Sequence, residues 1–336
     1  MQPNFKKLED TELTVPEDAK NKRLDRWLAE VWPDYSRTFV AKLIKDGHVH
    51  IENLMPIKVK PSLKLESGWQ VIVEKPAMDA PDLPPEDIPL DVIFEDEAII
   101  VINKPAALPV HPPRAGRGGT MANALAFRFQ NLSQADTIRP GIVHRLDADT
   151  TGVIVCAKDE SAHFKLAKQF EERTTQKTYL AIVRGRMKLE SGVIENPIGR
   201  HPDHYEMMRI DKDGKTAQTN WEMLEKFKRF AYLKLTPKSG RTHQLRVHLS
   251  SINHPIISDR LYSTRPALLL SEITGDEPQA GEMPLMARQA LHATSLSFDH
   301  PRTDERVTFE APLPEDMQRA LEALRAGPKA PLGSNI

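Results

Sequence analysis

The sequence predicts an α+β protein in which strands outnumber helices. Apolar runs typical of buried strands lie at residues 99–102, 153–157, 179–183 and 232–236. Helical periodicity is found near residues 121–129 and 161–172, but strands and helices do not alternate as they would in a doubly wound parallel sheet. An acidic stretch with several prolines, residues 76–90, separates this large part from a small N-terminal α/β segment.

Composition and charge place the chain among globular proteins. Its 336 residues are 40% hydrophobic and 28% charged, with a formal net charge of −1. No apolar run approaches the roughly 20 residues that cross a bilayer, and no apolar core of a secretion signal follows Met1. The single cysteine, Cys156, cannot form an intramolecular disulfide. We expect a cytoplasmic protein that acts away from membranes.

The distribution of charge and proline predicts the domain boundaries. Basic residues outnumber acidic ones between residues 20 and 75, whereas the stretch that follows is acidic. A helix-like pattern ends at Gly327. The predicted units are an N-terminal extension (1–19), a small domain (20–75), a linker (76–90), a large domain (91–326) and a disordered tail (327–336).

The small domain is predicted to begin with two amphipathic helices. Leu24, Leu28 and Val31 recur at helical spacing, and a second helix is expected between an N-cap at Ser36 and Gly47. A basic surface on these helices would suit nucleic-acid phosphates, although charged residues on short helices often form only a solvated face. The basic residues concerned are Arg23, Arg26, Arg37, Lys42 and Lys45.

The most informative stretch is residues 141–152, GIVHRLDADTTG, which packs charged and hydroxyl side chains into a short turn before an apolar strand. A turn this polar is expected at a sheet edge or in a cleft, where Asp147 would lie on rigid scaffold beside Arg145. A turn in which Asp147 or Asp149 accepts backbone N–H bonds is the simpler explanation of an isolated HRLD.

Three other site classes fit the sequence poorly. A protein-kinase catalytic loop has the order His-Arg-Asp-Leu and needs further motifs that are absent here. The spacings of five and six between His243, His248 and His254 do not align imidazoles on one helical face for a metal. Residues 114–120 are glycine-rich but lack the Gly-Lys-Ser/Thr ending of a phosphate loop.

The longer stretch HRLDADTTGVIVCAKD, residues 144–159, resembles the signature of the RluA-type RNA pseudouridine synthases. In that signature His-Arg-Leu-Asp is followed by two variable residues, Thr, then Ser or Thr, and Gly. Residues 20–75 also resemble the S4 RNA-binding domain that many members carry. Other stretches that resemble motifs of the family, in the same order along the chain, are residues 98–126, 177–181, 239–248 and 291–301.

The resemblance implies the pseudouridine synthase fold, a curved and largely antiparallel mixed sheet with a central cleft. It implies an isomerase that converts RNA uridine into pseudouridine and needs neither metal nor cofactor. Asp147 would be the essential carboxylate. A closed pocket would raise the pKa of a carboxyl group, so a nearby cation is expected, with Arg246 as first candidate and Arg241 as second. Tyr179 would lie against the uracil.

A uridine inside a stem must be everted before it can react, at a cost of a few kcal/mol. Arg145 would fill the gap that the base leaves, and Leu291 would contact the everted base. His144 is expected to order the turn rather than to transfer protons. The other residues assigned to substrate binding are Thr150, Gly152, Arg241, His243 and Gln244.

The implied partner is structured RNA. Ribosomal RNA or its precursor is the first expectation. Transfer RNA, or a non-catalytic role in RNA binding or ribosome assembly on the same fold, is the alternative. The protein is expected to act as a monomer.

Overall fold

The computed structural model describes residues 11–33, 35, 37–52, 59–74, 83–112, 118–129 and 141–327. The proposed N-cap Ser36, most of the glycine-rich stretch 114–120 and the tail after Gly327 lie outside these residues. The described residues contain no helix long and apolar enough to span a membrane.

A small N-terminal unit is built around its own apolar core. Its elements are β1 (Thr11–Thr14), α1 (Leu24–Val31), α2 (Arg37–Lys45), β2 (Val49–Ile51) and β3 (Gln70–Val73). The strands form an antiparallel sheet in the order β1-β3-β2, with both helices packed on it through Leu24, Leu28 and Ile44. Both predicted helices are present.

The predicted boundary at residue 20 cuts through this sheet. Thr11 pairs with Val73, and Val15 is buried in the same core as the helices. The four residues of β1 alternate between half-buried and exposed positions and include only one apolar side chain, Leu13, so local periodicity did not reveal the strand.

The large unit contains eleven of the described strands. They are β4 (Val92–Glu95), β5 (Ile99–Lys104), β6 (Thr151–Ala157), β7 (Gln176–Arg184), β8 (Ser191–Ile194), β9 (Ile198–Arg200), β10 (Met208–Ile210), β11 (Thr219–Lys226), β12 (Phe230–Pro237), β13 (Leu291–Asp299) and β14 (Arg306–Glu310). Its helices are α3 (Met121–Arg128), α4 (Glu160–Glu172), α5 (Gln244–Ser251), α6 (Leu270–Thr274) and α7 (Glu315–Ala326).

Nine of these strands form one mixed sheet. The order is β4-β5-β6-β13-β7-β12-β11-β8, and β14 pairs with the second half of β13. Every pair is antiparallel except β6 with β13, which confirms the predicted largely antiparallel sheet. β9 and β10 form a separate two-stranded ribbon.

β6 lies in the interior of the sheet, and all seven of its residues are buried. Ile154 and Cys156 face α3, whereas Val153 and Val155 face α4, so both faces are covered. Burial raises the pKa of the Cys156 thiol to about 12. The predicted buried strand is therefore confirmed, and the polar turn that precedes it is attached to the best packed part of the fold.

The parallel pair of β6 and β13 depends on a glycine. Gly152 has a φ of +112°, and a Cβ at this position would lie 2.1 Å from the carbonyl oxygen of Ala293 on the neighbouring strand. Both the dihedral angle and the close approach of the two backbones require a residue without a side chain.

We expect Gly152→Ala to lower the free energy of unfolding by at least about 3 kcal/mol, because the new methyl group meets backbone that cannot move aside. Chemical denaturation monitored by circular dichroism measures this loss. Gly281→Ala is the matched control, since Gly281 has a φ of +83° but no atom within 4 Å of an added Cβ. If both variants lost the same free energy of unfolding, the positive φ alone would account for the loss, and the close approach to Ala293 would contribute nothing.

Two segments pack more closely than the sequence predicted. Residues 264–287 are rich in Leu, Glu, Pro and Gly, a composition that predicts a surface insertion, yet Leu268, Ile273 and Met286 are buried in the main core beside α7. In the predicted linker, Leu83 is buried against Ile100 of β5. Leucines and isoleucines spaced among Pro, Gly and acidic residues show no periodicity, so their burial follows from tertiary packing alone.

Candidate active site

Asp147 lies in the turn that enters β6, at the wall of a cleft of about 520 Å³. Its side chain is 19% exposed. Thr150 N donates to the carbonyl of Asp147 at 3.0 Å, which closes the turn. The strand that follows holds this turn in place, so the carboxylate is presented from rigid backbone, as the sequence predicted.

Two cationic side chains hold the turn in place through hydrogen bonds to its backbone, and neither was predicted from the sequence to belong to the site. Lys104, at the end of β5, donates from Nζ to the carbonyl of Ala148 at 2.7 Å. Arg288 donates to the carbonyl of Asp149 at 2.9 Å and forms a bidentate ion pair with Asp316. The two residues that follow Asp147 therefore have fixed backbone positions.

Lys104 is completely buried, and its ammonium makes three hydrogen bonds. Besides Ala148, the acceptors are the carbonyls of Pro105 at 2.7 Å and Leu108 at 2.9 Å. Burial lowers the pKa of Lys104 to about 7. Three acceptors nevertheless match the three N–H donors of the charged form, because a neutral amine has only two. The geometry is that of an ammonium that fastens the turn of Asp147 to β5.

Asp147 is paired with Arg246, the first candidate from the sequence. The Arg246 Nη1 lies 3.0 Å from Oδ2 of Asp147. From the other side Asp259, which is fully buried, accepts from Nε at 2.7 Å and from Nη2 at 2.8 Å. Burial alone would lower the pKa of Arg246, but Asp259 and Asp147 raise it above its usual value. The guanidinium is thus a permanent cation held in one orientation.

His243 approaches Asp147 from the turn before α5. Its Nε2 is 3.8 Å from Oδ1 of Asp147, and its Nδ1 is 2.9 Å from the Tyr262 hydroxyl. That hydroxyl accepts from the backbone N–H of Met208 at 2.8 Å, so its own proton is available to Nδ1. Burial lowers the pKa of His243, with Asp147 opposing the effect. A neutral imidazole with its proton on Nε2 would face the carboxylate.

Tyr179 lies on β7 and lines the same cleft as Asp147. Its ring packs against two apolar clusters, one that includes side chains of β12 and α7 and one that includes side chains of β5 and α3. Burial, assisted by the negative charge of Asp147, raises the pKa of Tyr179. The phenol therefore keeps its proton at neutral pH and offers a ring face and a hydroxyl rather than a phenolate.

His144 and Arg145 have different environments although they are adjacent. His144 stacks on Phe170 with ring centroids 4.4 Å apart, and its Nε2 accepts from the backbone N–H of Val155 at 3.1 Å. Burial, with a contribution from Lys177, lowers its pKa to about 3, so it is a neutral structural group. Arg145 is exposed at the cleft, with Nη1 3.4 Å from His111 Nε2, and no ion pair to Asp147 or Asp149 is formed.

The loop that precedes α5 is organised by Gln244. Its Oε1 accepts from Ser239 Oγ at 2.7 Å and from the backbone N–H of Arg241 at 3.1 Å. Arg241 donates from Nε to the carbonyl of Thr216 at 3.1 Å and does not pair with Asp147. Of the two candidate cations, the structure therefore brings only Arg246 to the carboxylate.

The remaining predicted substrate contacts divide into two groups. Thr150 and Leu291 line the cleft, and Thr150 Oγ1 accepts from Gln289 Nε2 at 3.1 Å. Gly152 is not among the lining residues and instead faces the backbone of Ala293. The structure accounts for this glycine by strand packing.

The structure adds functional candidates that sequence reasoning missed, namely Lys104, Asp259, Tyr262 and Lys177. No local pattern marks Lys104, because a lysine at the end of a strand is usually exposed, whereas Asp259 lies two positions after the apolar pair Ile256-Ile257. The described residues contain no cluster of three or more potential metal ligands.

Known proteins that are similar to this chain belong to one family. The model of the RNA pseudouridylate synthase family matches residues 98–251. The chain is 39% identical to an uncharacterized RNA pseudouridine synthase of Bacillus subtilis (strain 168), over 94% of this chain and 98% of that protein. It is 38% identical to the ribosomal large subunit pseudouridine synthase D of Escherichia coli (strain K12), over 93% of this chain and 94% of the relative.

A solved structure has the same fold. Human RNA pseudouridylate synthase domain containing 4 superimposes with a TM-score of 0.54 and 27% identity, over 70% of this chain and 93% of that one. The relatives match along nearly the whole chain, and the family model covers the turn with Asp147, Tyr179 on β7 and Arg246 on α5. The chain therefore belongs to the RNA pseudouridylate synthase family, isomerases that convert RNA uridine into pseudouridine.

Proposed function

We propose that this protein isomerises specific uridines of large-subunit ribosomal RNA and that Asp147 is the essential carboxylate. The observation that carries the assignment of Asp147 is its ion pair with Arg246 in a cleft that Tyr179 also lines. The substrate class is supported by the name of the E. coli relative, ribosomal large subunit pseudouridine synthase D, which matches 93% of the chain.

The reaction breaks the C1′–N1 glycosidic bond, rotates the uracil and joins C5 to C1′, while C5 loses its proton and N1 ends protonated. No group leaves the molecule and no oxidation state changes. Asp147 can attack C1′, add to C6 of the base or remove the 2′ proton to give a glycal. In each route the ion pair with Arg246 holds the carboxylate in one orientation in a partly closed site.

The cleft walls would hold the free base during its rotation. In our proposal Tyr179 lies against the uracil ring near the C5 proton, and Leu291 supplies an apolar contact. The exposed Arg145 stacks in the gap that the everted nucleotide leaves, since a guanidinium plane stacks well on bases. Thr150, His243 and Arg241 face the substrate from the same cleft, whereas Gln244 supports the loop behind them.

We further propose that the predicted S4-like unit contacts RNA phosphates, with unequal contributions from its five basic residues. Lys42 and Lys45 are exposed on α2. Arg23 and Arg37 each form a hydrogen-bonded ion pair with the buried Asp25, and Arg26 lies 3.4 Å from Glu30. Pairing with acidic residues reduces the charge that these three arginines offer to a phosphate.

We therefore expect the double substitution Lys42→Gln, Lys45→Gln to weaken RNA binding and to reduce the slope of log Kd against log salt by about 2, one for each lost phosphate contact. Filter binding between 50 and 300 mM KCl measures the slope. Arg26→Gln is the matched control and should change the slope by less than half as much per charge removed. An unchanged slope in the double variant would assign these lysines to a solvated face.

The experiment that tests the proposed function is pseudouridine mapping on total RNA from cells with and without the gene, by carbodiimide-dependent primer-extension stops. A large-subunit site that is lost on deletion, restored by wild type and not restored by Asp147→Asn would support it. A lost site in transfer RNA would retain the reaction and overturn the substrate. No lost site would favour a non-catalytic RNA-binding protein.

A further inference from the structure

Lys177 is a cation in the cleft that the proposed chemistry does not use. It precedes Tyr179 by two residues on β7, so both side chains are on the same face of the strand, roughly 7 Å apart along it. Its Nζ lies 5.8 Å from the Phe170 ring centroid. On the opposite side it is close to Gly240, where an added Cβ would be 3.7 Å from Nζ. The ammonium therefore occupies the space between α4 and the loop before α5.

No hydrogen bond or ion pair joins the Lys177 ammonium to any residue in the described part of the chain. Burial, and then the positive charge of Arg173, lower the pKa of Lys177. Arg246 in the same cleft is buried, and its charge is compensated by two carboxylates. Lys177 is half-buried, and a partly desolvated cation without an anion is costly, so an anionic ligand is the partner that would make this arrangement favourable.

The charges around Lys177 indicate which ligand fits. Arg173 follows the last residue of α4 and also lines the cleft, and Arg145 and Arg241 contribute two further guanidinium groups. The carboxylates of the lining are Asp147, which pairs with Arg246, and Glu171, which is exposed and forms no ion pair with Lys177. Neutral uracil oxygens would not balance this excess of positive charge, whereas a phosphodiester would.

We propose that Lys177 and Arg173 bind a backbone phosphate of the substrate RNA next to the everted uridine, while Tyr179 contacts the base. This inference rests on the proposed function. β7 would then contact the substrate at two positions. Tyr179 presents its ring to the base, and Lys177, two residues earlier, presents its ammonium to the RNA backbone. The phosphate would fix how deeply the nucleotide enters the cleft.

The test uses full-length protein and ribosomal RNA labelled with [5-³H]uridine from a strain that lacks the gene, with tritium release from C5 as the measure of turnover. Lys177→Met should raise KM about tenfold and leave kcat within about threefold, and Lys177→Arg should recover most of the loss. Lys234→Met is the matched control, because Lys234 lies on β12 outside the cleft and pairs with Glu222 at 3.6 Å. It should behave as wild type.

A second measurement separates this proposal from the proposed function. Equilibrium binding of the same RNA is followed between 50 and 300 mM KCl, and Lys177→Met should reduce the slope of log Kd against log salt by about 1. A wild-type KM and an unchanged slope would overturn the phosphate site, as would a fall of kcat alone. If wild type released no tritium while the slope still fell, the proposed reaction would fail and the phosphate site would stand.

Discussion

Replacing Asp147 by asparagine is expected to abolish isomerisation while RNA affinity stays within a few-fold of wild type. The amide preserves the shape of the side chain but removes the negative charge that pairs with Arg246 and the nucleophilic or basic oxygen that every route requires. Turnover should fall by at least about 1000-fold. Tritium release measures the first effect and filter binding the second.

Asp149→Asn is the matched control for this prediction. It removes the same charge two residues further along the chain. The backbone carbonyl of Asp149 accepts a hydrogen bond from Arg288, and the side chain of Asp149 does not line the cleft. We expect activity within a few-fold of wild type. An active Asp147→Asn enzyme would refute the assignment, and equal losses in both variants would indicate damage to the turn rather than loss of a reacting group.

Arg246→Met should impair both stability and turnover. Arg246 is 5% exposed, and its removal leaves two carboxylates without their shared cation, one of them fully buried. Loss of one partner from a buried pair costs about 3–5 kcal/mol. Turnover should fall at least about 100-fold, since Asp147 loses the group that orients it.

Two variants separate the electrostatic contribution from simple loss of packing. Arg246→Met combined with Asp259→Asn should recover part of the lost stability but none of the turnover, because only the buried unpaired charge is removed. Arg306→Met removes an arginine whose ion pair with Asp299 lies near the surface, and it should change stability by less than about 1 kcal/mol. A stable, fully active Arg246→Met enzyme would contradict the role assigned to the ion pair.

Local patterns in the sequence predicted the elements that carry the site. Apolar runs marked β5, β6, β7 and β12, and helical periodicity marked α3 and α4, because burial on a strand or helix leaves a short-range signature. The need for a cation near a partly enclosed carboxylate predicted an ion pair for Asp147, and the resemblance of residues 239–248 to a motif of the family selected Arg246. These inferences required short stretches of sequence, one chemical requirement and one family resemblance.

The rest of the site depends on contacts between distant segments. Lys104 meets Ala148 across 44 residues, and Asp259 reaches Arg246 from a loop after α5. Lysine at the end of a strand is usually solvent-exposed, so the residues adjacent to Lys104 do not predict that its ammonium is buried against three carbonyl acceptors. The strand order of the sheet is also non-local, which is why the pairing of β6 with β13 was not predicted.

Cys156 provides the chain with an internal reporter of sheet opening. It is the only cysteine in the sequence, it is fully buried, and β6 is hydrogen-bonded to β5 on one edge and β13 on the other. Thiolate is the form that reacts with alkylating reagents, so the sulfur is protected until these strands separate. The rate at which Cys156 is alkylated in native buffer therefore reports how readily the strand that supports Asp147 separates from its neighbours. Because each molecule has one thiol, the measurement follows this motion at a single position and needs no denaturant.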